Sequence, residues 1–166
     1  MKLTYHSPFG PLILISDNGK LLYVNWDNSE CLLKLNKFES EVSHTSCEQD
    51  TIVLNETVKQ LDEYFSGRRI FFELPFEFKG TALREKVWST LRDVKYGERI
   101  TYKELANKCK IPKAVRAVAN ACGANPLAII IPCHRVIGTG GKLGGYTGGI
   151  DKKIALLDFE CTIYNK

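Results

Sequence analysis

Apolar residues follow two rhythms along this chain of 166 residues. Up to about residue 79 they gather in short extended runs with two helical stretches between, and beyond Gly80 they recur mainly at helical spacing. Leu12–Ser16 and Lys20–Trp26 are apolar runs parted by Asp17-Asn18-Gly19. Asn-Gly supplies positive φ at low cost, so the pair predicts a β-hairpin, with Lys2–His6 as a third antiparallel strand. A helix is expected over Ser29–Phe38, a polar loop over Glu39–Asp50, and a second helix over Ile52–Phe65. In that helix Val58, Leu61 and Phe65 share a face, and Gly67 stops it. Ile70–Phe78 returns to extended structure.

The second half opens with Gly80-Thr81 and a helix over Ala82–Val94, with Val87, Leu91 and Val94 on one side, Trp88 beside them, and Tyr96-Gly97 as its end. Thr101-Tyr102-Lys103-Glu104 reads as a capping box for a short helix to Lys108. After a turn at Cys109–Ile111, Pro112 opens a further helix that Gly123 ends, which makes a helix-turn-helix. Val115, Val118, Ala119 and Cys122 should form its buried face; Lys113, Arg116, Ala117 and Asn120, flanked by Ala114 and Ala121, form the other. Such a face suits close approach of a nucleic-acid backbone, and equally an alanine-rich contact between helices. Ala128-Ile129-Ile130-Ile131 reads as a buried strand. Asp151 should cap a last helix that turns Ile154 and Leu157 inward and carries Glu160 near its end. The pattern is α+β in two domains, 1–79 and 80–166.

Charge sharpens that division. The overall +4 hides 8 Lys and Arg against 12 Asp and Glu in residues 1–79, net −4, and 15 against 7 in residues 80–166, net +8. The basic half is the candidate for meeting a polyanion. The N-terminus has no secretory pattern, and no apolar run nears the roughly 18 residues of a spanning helix. The six cysteines contain no C-x-x-C pair and no regular spacing, which points to a reducing compartment. Cys31, His44 and Cys47 lie close in sequence but lack a fourth ligand, so no metal is expected. No membrane association is expected either, and the protein should be intracellular.

The candidate chemistry lies at Pro132-Cys133-His134-Arg135, which sets a thiol beside an imidazole just after the apolar run. An activated thiol of this kind suits a cysteine hydrolase as much as any other thiol chemistry. Residues 138–149 hold seven glycines in neither the Walker A nor the dinucleotide-binding spacing. That loop either leaves room for a flat ligand against bare backbone or is a plain flexible hairpin.

An ordered series of segments resembles the O6-alkylguanine-DNA alkyltransferases, or methylated-DNA–protein-cysteine methyltransferases. It comprises Gly80-Thr81 with Val87-Trp88, Ile100-Thr101-Tyr102, Lys113-Ala114-Val115-Arg116-Ala117-Val118, Asn125-Pro126, Ile131-Pro132-Cys133-His134-Arg135-Val136-Ile137, and Gly144-Gly145-Tyr146-Thr147-Gly148-Gly149. The likeness runs through about Gly80–Cys161, and the first lobe fits more loosely. It implies a small antiparallel-sheet, ribonuclease-H-like N-terminal lobe and a mainly helical, winged-helix-like C-terminal lobe.

The resemblance implies repair by direct reversal. An alkyl group passes once from O6-alkylguanine, and from O4-alkylthymine, to Cys133, with no cofactor. His134 takes the thiol proton through a water, Glu160 orients His134, Asn125 braces the turn, and Tyr102 protonates or hydrogen-bonds the departing guanine. Arg116 fills the gap left by the flipped nucleotide, in a recognition helix that enters the minor groove. Tyr102, Lys103, Lys113, Ala117, Asn120, Ala121, Gly123 and Arg135 complete the expected DNA surface, and Val136, Gly144, Gly145, Tyr146 and Thr147 the base pocket. The expected partner is double-stranded DNA bound largely without sequence preference by a monomer that clusters on it. Cytoplasm, or the nucleus of a eukaryote, is the expected location. Ala119 departs from the glycine frequent in relatives. The cysteine that alkyltransferase-like, non-repairing proteins replace is present, which argues for transfer over a helix-turn-helix protein that only binds damaged DNA.

Overall fold

The computed structural model describes residues 1–32, 35 and 47–164. The chain divides into two compact units, Met1–Phe78 and Lys79–Lys166.

In the first unit, strands β1 (Lys2–Ser7), β2 (Gly10–Asp17) and β3 (Lys20–Trp26) form an antiparallel meander in that order. Asn18 and Gly19 join β2 to β3 with φ of 53° and 70°, the pair of left-handed residues that matches the twist of a two-residue hairpin. Leu12–Ile15 and Leu21–Val24 are buried at every position, which is why these strands read as continuous apolar runs and not as alternation. Helix α1 (Glu48–Phe65) packs on β2 and β3.

That helix starts a turn before the expected Ile52. Asp50, placed by its polarity in a loop, is fully buried, and its carboxylate accepts from Cys47 N–H at 3.1 Å and Gly19 N–H at 2.9 Å. One carboxylate thus caps the helix and ties it to the hairpin turn. The buried stripe is Val53, Leu54, Thr57, Gln60, Leu61 and Tyr64; Val58 and Phe65, expected on it, are half-buried. Ser29–Leu32 are helical, whereas much of the expected helix to Phe38, most of the expected loop, and His44 lie outside the described residues. Among the described residues the expected strand at Ile70–Phe78 pairs through one bridge, Leu21 with Phe76. Upstream of it the Gln60 amide takes the place of a partner strand, donating to Glu73 O and accepting from Glu73 N–H, both at 2.9 Å.

The second unit holds α2 (Ala82–Leu91), α3 (Tyr102–Lys108), α4 (Val115–Gly123) and α5 (Ile150–Tyr164), with a two-stranded parallel pair, β4 (Ile100–Thr101) with β5 (Val136–Ile137), against α3. The capping box forms: Thr101 Oγ1 accepts from Glu104 N–H at 3.1 Å, and Glu104 accepts from Thr101 N–H at 2.6 Å. α3 and α4 make the helix-turn-helix, and α2 packs across both. Trp88 on α2 is buried and donates its indole N–H to Ala121 O at 2.8 Å. Gly80 leaves room for that indole, since a Cβ there would stand 2.7 Å from the ring.

Several expectations change. α4 begins at Val115, because Pro112 and Lys113 form a turn before it. Its buried face is Val118, Ala121 and Cys122, with Val115 and Ala119 half-buried. Ala121, expected on the DNA side, therefore lies against Trp88. The run Ala128–Ile131 is a tight turn, not a strand: Ile129 takes φ 71°, Ile131 N–H donates to Leu127 O, and Ile130 N–H donates to Ala128 O. On α5 the inward residues are Lys153, Leu156, Leu157 and Glu160, while Ile154 is 40% exposed. Asp151 stands inside the first turn instead of capping it.

Candidate active site

Leaving α4, the chain reaches Asn125, whose side chain organises the backbone from Leu127 to Cys133. Its Oδ1 accepts from Leu127 N–H at 3.0 Å, so Nδ2 must face the other way, where it donates to Ile131 O at 2.8 Å and Cys133 Sγ at 3.1 Å. One amide closes the Leu127–Ile131 turn and gives the sulfur a fixed donor. A donor aimed at sulfur favours the thiolate over the thiol. Cys133 is the first residue of a single 3₁₀ turn, Cys133–Arg135, and is 6% exposed.

His134 is fully buried, and its Nε2 lies 2.8 Å from Glu160 Oε1. Burial pushes the imidazole below its ordinary range, with the Glu160 charge opposing. Burial also works against ionised Glu160, but the donors around it prevail and hold it well below the usual carboxylate range. Those donors are His134, Gly97 N–H at 3.2 Å, and Arg135, which grips both oxygens through Nε and Nη2 at 2.9 Å. An ionised carboxylate can only accept, so Nε2 carries the hydrogen and Nδ1 the lone pair. Among the described residues, Nδ1 is buried and has no hydrogen-bond partner. A neutral histidine with its free lone pair inside the site is a base ready to take a proton.

The sequence places Arg135 on the DNA surface, and the structure does not. It is 5% exposed, donates to Val94 O at 2.6 Å, and lies over the Tyr96 ring 5.5 Å from its centroid. Its charge is committed to Glu160, so it braces the site from within.

Tyr102, first residue of α3, is half-buried. Burial, with charge on Cys122 and Cys133 adding to it, pushes its hydroxyl up to about 12, so at neutral pH it remains a proton donor. Gly144 lies against it at φ 67°; a Cβ there would come within 3.0 Å of the phenol oxygen. Gly144 and Gly145 are exposed, Tyr146 half-buried and Val136 fully buried. Thr147 is half-buried and donates to Gly123 O at 2.7 Å, which pins the glycine loop to the end of α4. Lys103, Lys113, Arg116, Asn120 and Gly123 are exposed and Ala117 half-buried. Residues 116, 117, 120 and 123 follow helical spacing on α4, Lys113 stands in the turn before it, and a Cβ on Gly123 would meet nothing within 4 Å, so the end of the ridge is open.

Sequence reasoning missed two contributors. Gly97, seen only as a helix stop, has φ 73° and aims its N–H at Glu160. Lys153 is fully buried, with Nζ donating to Val136 O and Leu143 O. Among the described residues no three His, Cys, Asp or Glu side chains come together to hold a metal. Cys31 Sγ instead donates to Asn25 Oδ1 at 3.4 Å and Cys47 Sγ to Asp50 Oδ2 at 3.2 Å. No described helix is long and apolar enough to cross a membrane.

Residues 82–162 match the family described as 6-O-methylguanine DNA methyltransferase, DNA binding domain, and residues 1–78 match its ribonuclease-like domain. A methylated-DNA–protein-cysteine methyltransferase of Methanosarcina acetivorans is 40% identical over 156 residues, 94% of this chain and 95% of its own length. Its namesake in Haemophilus influenzae is 36% identical over 158 residues, 94% of this chain and 83% of its own. Among solved structures, Mycobacterium tuberculosis OGT in complex with DNA superposes with a TM-score of 0.80 at 37% identity, covering 96% of this chain and 92% of that one. The O6-methylguanine methyltransferase of the same organism gives 0.78 at 36% identity, covering 97% and 92%.

Proposed function

Because this chain belongs to the methylated-DNA–protein-cysteine methyltransferase family, we propose that it repairs O6-alkylguanine in DNA by taking the alkyl group onto Cys133 Sγ, once per molecule. The observation that carries this is the sulfur's setting, with the Asn125 amide 3.1 Å from Sγ and the neighbouring His134 locked in one tautomer by Glu160.

Displacement at a saturated carbon favours a soft nucleophile, and a thiolate is the best a protein offers. The Cys133 proton passes to His134 Nδ1 through a water, and Glu160 stabilises the imidazolium as it forms. Sγ then attacks the alkyl carbon, forming the S–C bond as the C–O6 bond breaks, and guanine leaves with negative charge on O6. Tyr102 donates its proton, or a hydrogen bond, to that departing base. The thioether has no leaving group, so the protein is consumed.

A stacked base cannot present its alkyl carbon to a buried sulfur, so the nucleotide must leave the helix. The ridge of Lys113, Arg116, Ala117, Asn120 and Gly123 meets the minor groove, and Arg116 fills the space of the absent base. Contacts to phosphate carry no base code, so binding is largely independent of sequence. We infer also that O4-alkylthymine is accepted, and that the protein acts as a monomer that clusters on DNA. Its free thiols fit the reducing interior of a cell, cytoplasm or nucleus.

Titrating the protein into excess O6-methylguanine duplex tests this reading. Lesion loss should stop at one equivalent of protein; continuing turnover, or binding without lesion loss, would overturn it. Arg116→Ala should slow repair in duplex far more than reaction with a free O6-alkylguanine base, and equal losses on the two substrates would count against its role in base extrusion.

A further inference from the structure

The glycine loop is a segment that is costly to hold still. Between Gly138 and Gly149 it carries seven glycines, each of which loses more backbone freedom on ordering than any other residue. Residues 142–146 adopt neither helix nor strand, and among the described residues no backbone–backbone hydrogen bond reaches Leu143, Gly144 or Gly145. Two of the carbonyls here converge instead on one side chain. Lys153 Nζ, from α5, donates to Leu143 O at 2.5 Å and stands 3.5 Å from Gly145 O, so it brackets Gly144 from both sides. Its third acceptor is Val136 O of β5, at 2.7 Å.

Lysine suits that task and is otherwise out of place there. An ammonium offers three donors and no acceptor, so three converging carbonyls use it fully. Yet Lys153 is fully buried, carbonyls carry no net charge, and among the described residues no carboxylate is paired with it. A buried ion without a counter-ion is destabilising, and an apolar side chain of like volume would pack there at lower cost. What the ammonium contributes is position. Gly144, between the two bracketed carbonyls, is the residue whose Cβ would come within 3.0 Å of the Tyr102 phenol oxygen. Nζ itself lies 5.8 Å from the centroid of that ring. Val136, the third anchor, pairs with Ile100 two residues before Tyr102 and stands three residues after Cys133. One ammonium therefore joins the glycine loop to the strand that follows the Cys133 turn, beside the phenol. Farther along, Thr147 pins the same loop to Gly123 at the end of α4.

We propose that Lys153 is a positioning residue that makes the glycine loop a rigid wall of the base pocket, keeping Gly144 against Tyr102. Its effect on rate rests on the repair reading, whereas the wall itself is read without DNA. In the full chain, ¹⁵N relaxation of Gly144 and Gly145 should give order parameters near the rigid value of about 0.85, and Lys153→Met should lower them below about 0.6. On O6-methylguanine duplex, Lys153→Met should slow single-turnover transfer at saturating protein about ten- to a hundredfold, while the protein concentration giving half the maximal rate stays within about twofold. Lys153→Arg, which keeps a cation with donors, should stand nearer wild type in both readings. A loop as rigid in Lys153→Met as in wild type would overturn the proposal, and so would a mobile loop with an unchanged rate. Should that variant not fold, the wild type decides alone. Its Lys153 ammonium should exchange protons slowly and show scalar coupling from ¹⁵Nζ to the carbonyl carbons of Leu143 and Val136. An ammonium that exchanges as fast as those of surface lysines, without such coupling, would overturn the proposal. Relaxation and coupling need no lesion, so failure of the wall and failure of the repair reading are separate results.

Discussion

Replacing His134 by glutamine is expected to slow alkyl transfer to Cys133 by about 10²- to 10⁴-fold at neutral pH, the usual cost of removing a general base. Glutamine can keep a neutral donor toward Glu160, as His134 Nε2 does, and so preserves the surroundings. What it lacks is the basic lone pair at Nδ1, the atom that has no hydrogen-bond partner among the described residues. The loss should appear in the single-turnover rate at saturating protein and leave DNA affinity nearly untouched, because the residue is fully buried. An unchanged single-turnover rate would remove His134 as the base.

The second large effect is on stability. Glu160→Ala should destabilise the protein by about 3–5 kcal/mol in denaturant unfolding, the cost of stripping one partner from a buried ion pair. Glu160 is 1% exposed and takes donors from His134, Arg135 and Gly97. Without it the Arg135 guanidinium stays buried, left among the described residues with Val94 O and the Tyr96 ring. The pH dependence has a definite sign. Glu160 is held below its unfolded value, so its contribution is complete above about pH 5 and fades as pH falls further. His134 is also lowered, so its contribution is complete above about pH 6.5 and is lost on acidification below that. The wild type should weaken progressively from about pH 6.5 downward, and Glu160→Ala should flatten the lower part of that slope. A variant as stable as wild type would show that the buried network does not hold the site.

Legibility in the sequence followed the range of the interaction. The Asn18-Gly19 hairpin and the Thr101–Glu104 capping box are local devices, whose residues sit within a few positions of the groups they serve, and both stand as expected. Four apolar residues at Ala128–Ile131 looked like a strand because hydrophobicity records burial and not backbone direction. The turn there depends on the Asn125 side chain, which bonds Leu127 and Ile131 at once. The small side chain of Ala121 was compatible with either side of α4, and the indole of Trp88, 33 residues earlier, decided it. Arg135 looked like a DNA contact because nothing near it in sequence announces the carboxylate 25 residues on. Lys153 stayed hidden for the same reason: lysine is ordinarily a surface residue, and its acceptors are backbone carbonyls that no side-chain pattern reveals. Glu160 could be assigned only through the family resemblance, since its own neighbours do not mark it.

The consumption of Cys133 is the central claim. Intact-mass analysis with peptide mapping, after one equivalent of duplex carrying O6-methylguanine, tests it most directly. The protein should gain the mass of a single methylene, located on the peptide that contains Cys133, while the strand loses the same mass and Cys133→Ala gains nothing. Lesion loss without an adduct, or an adduct that persists in Cys133→Ala, would contradict it.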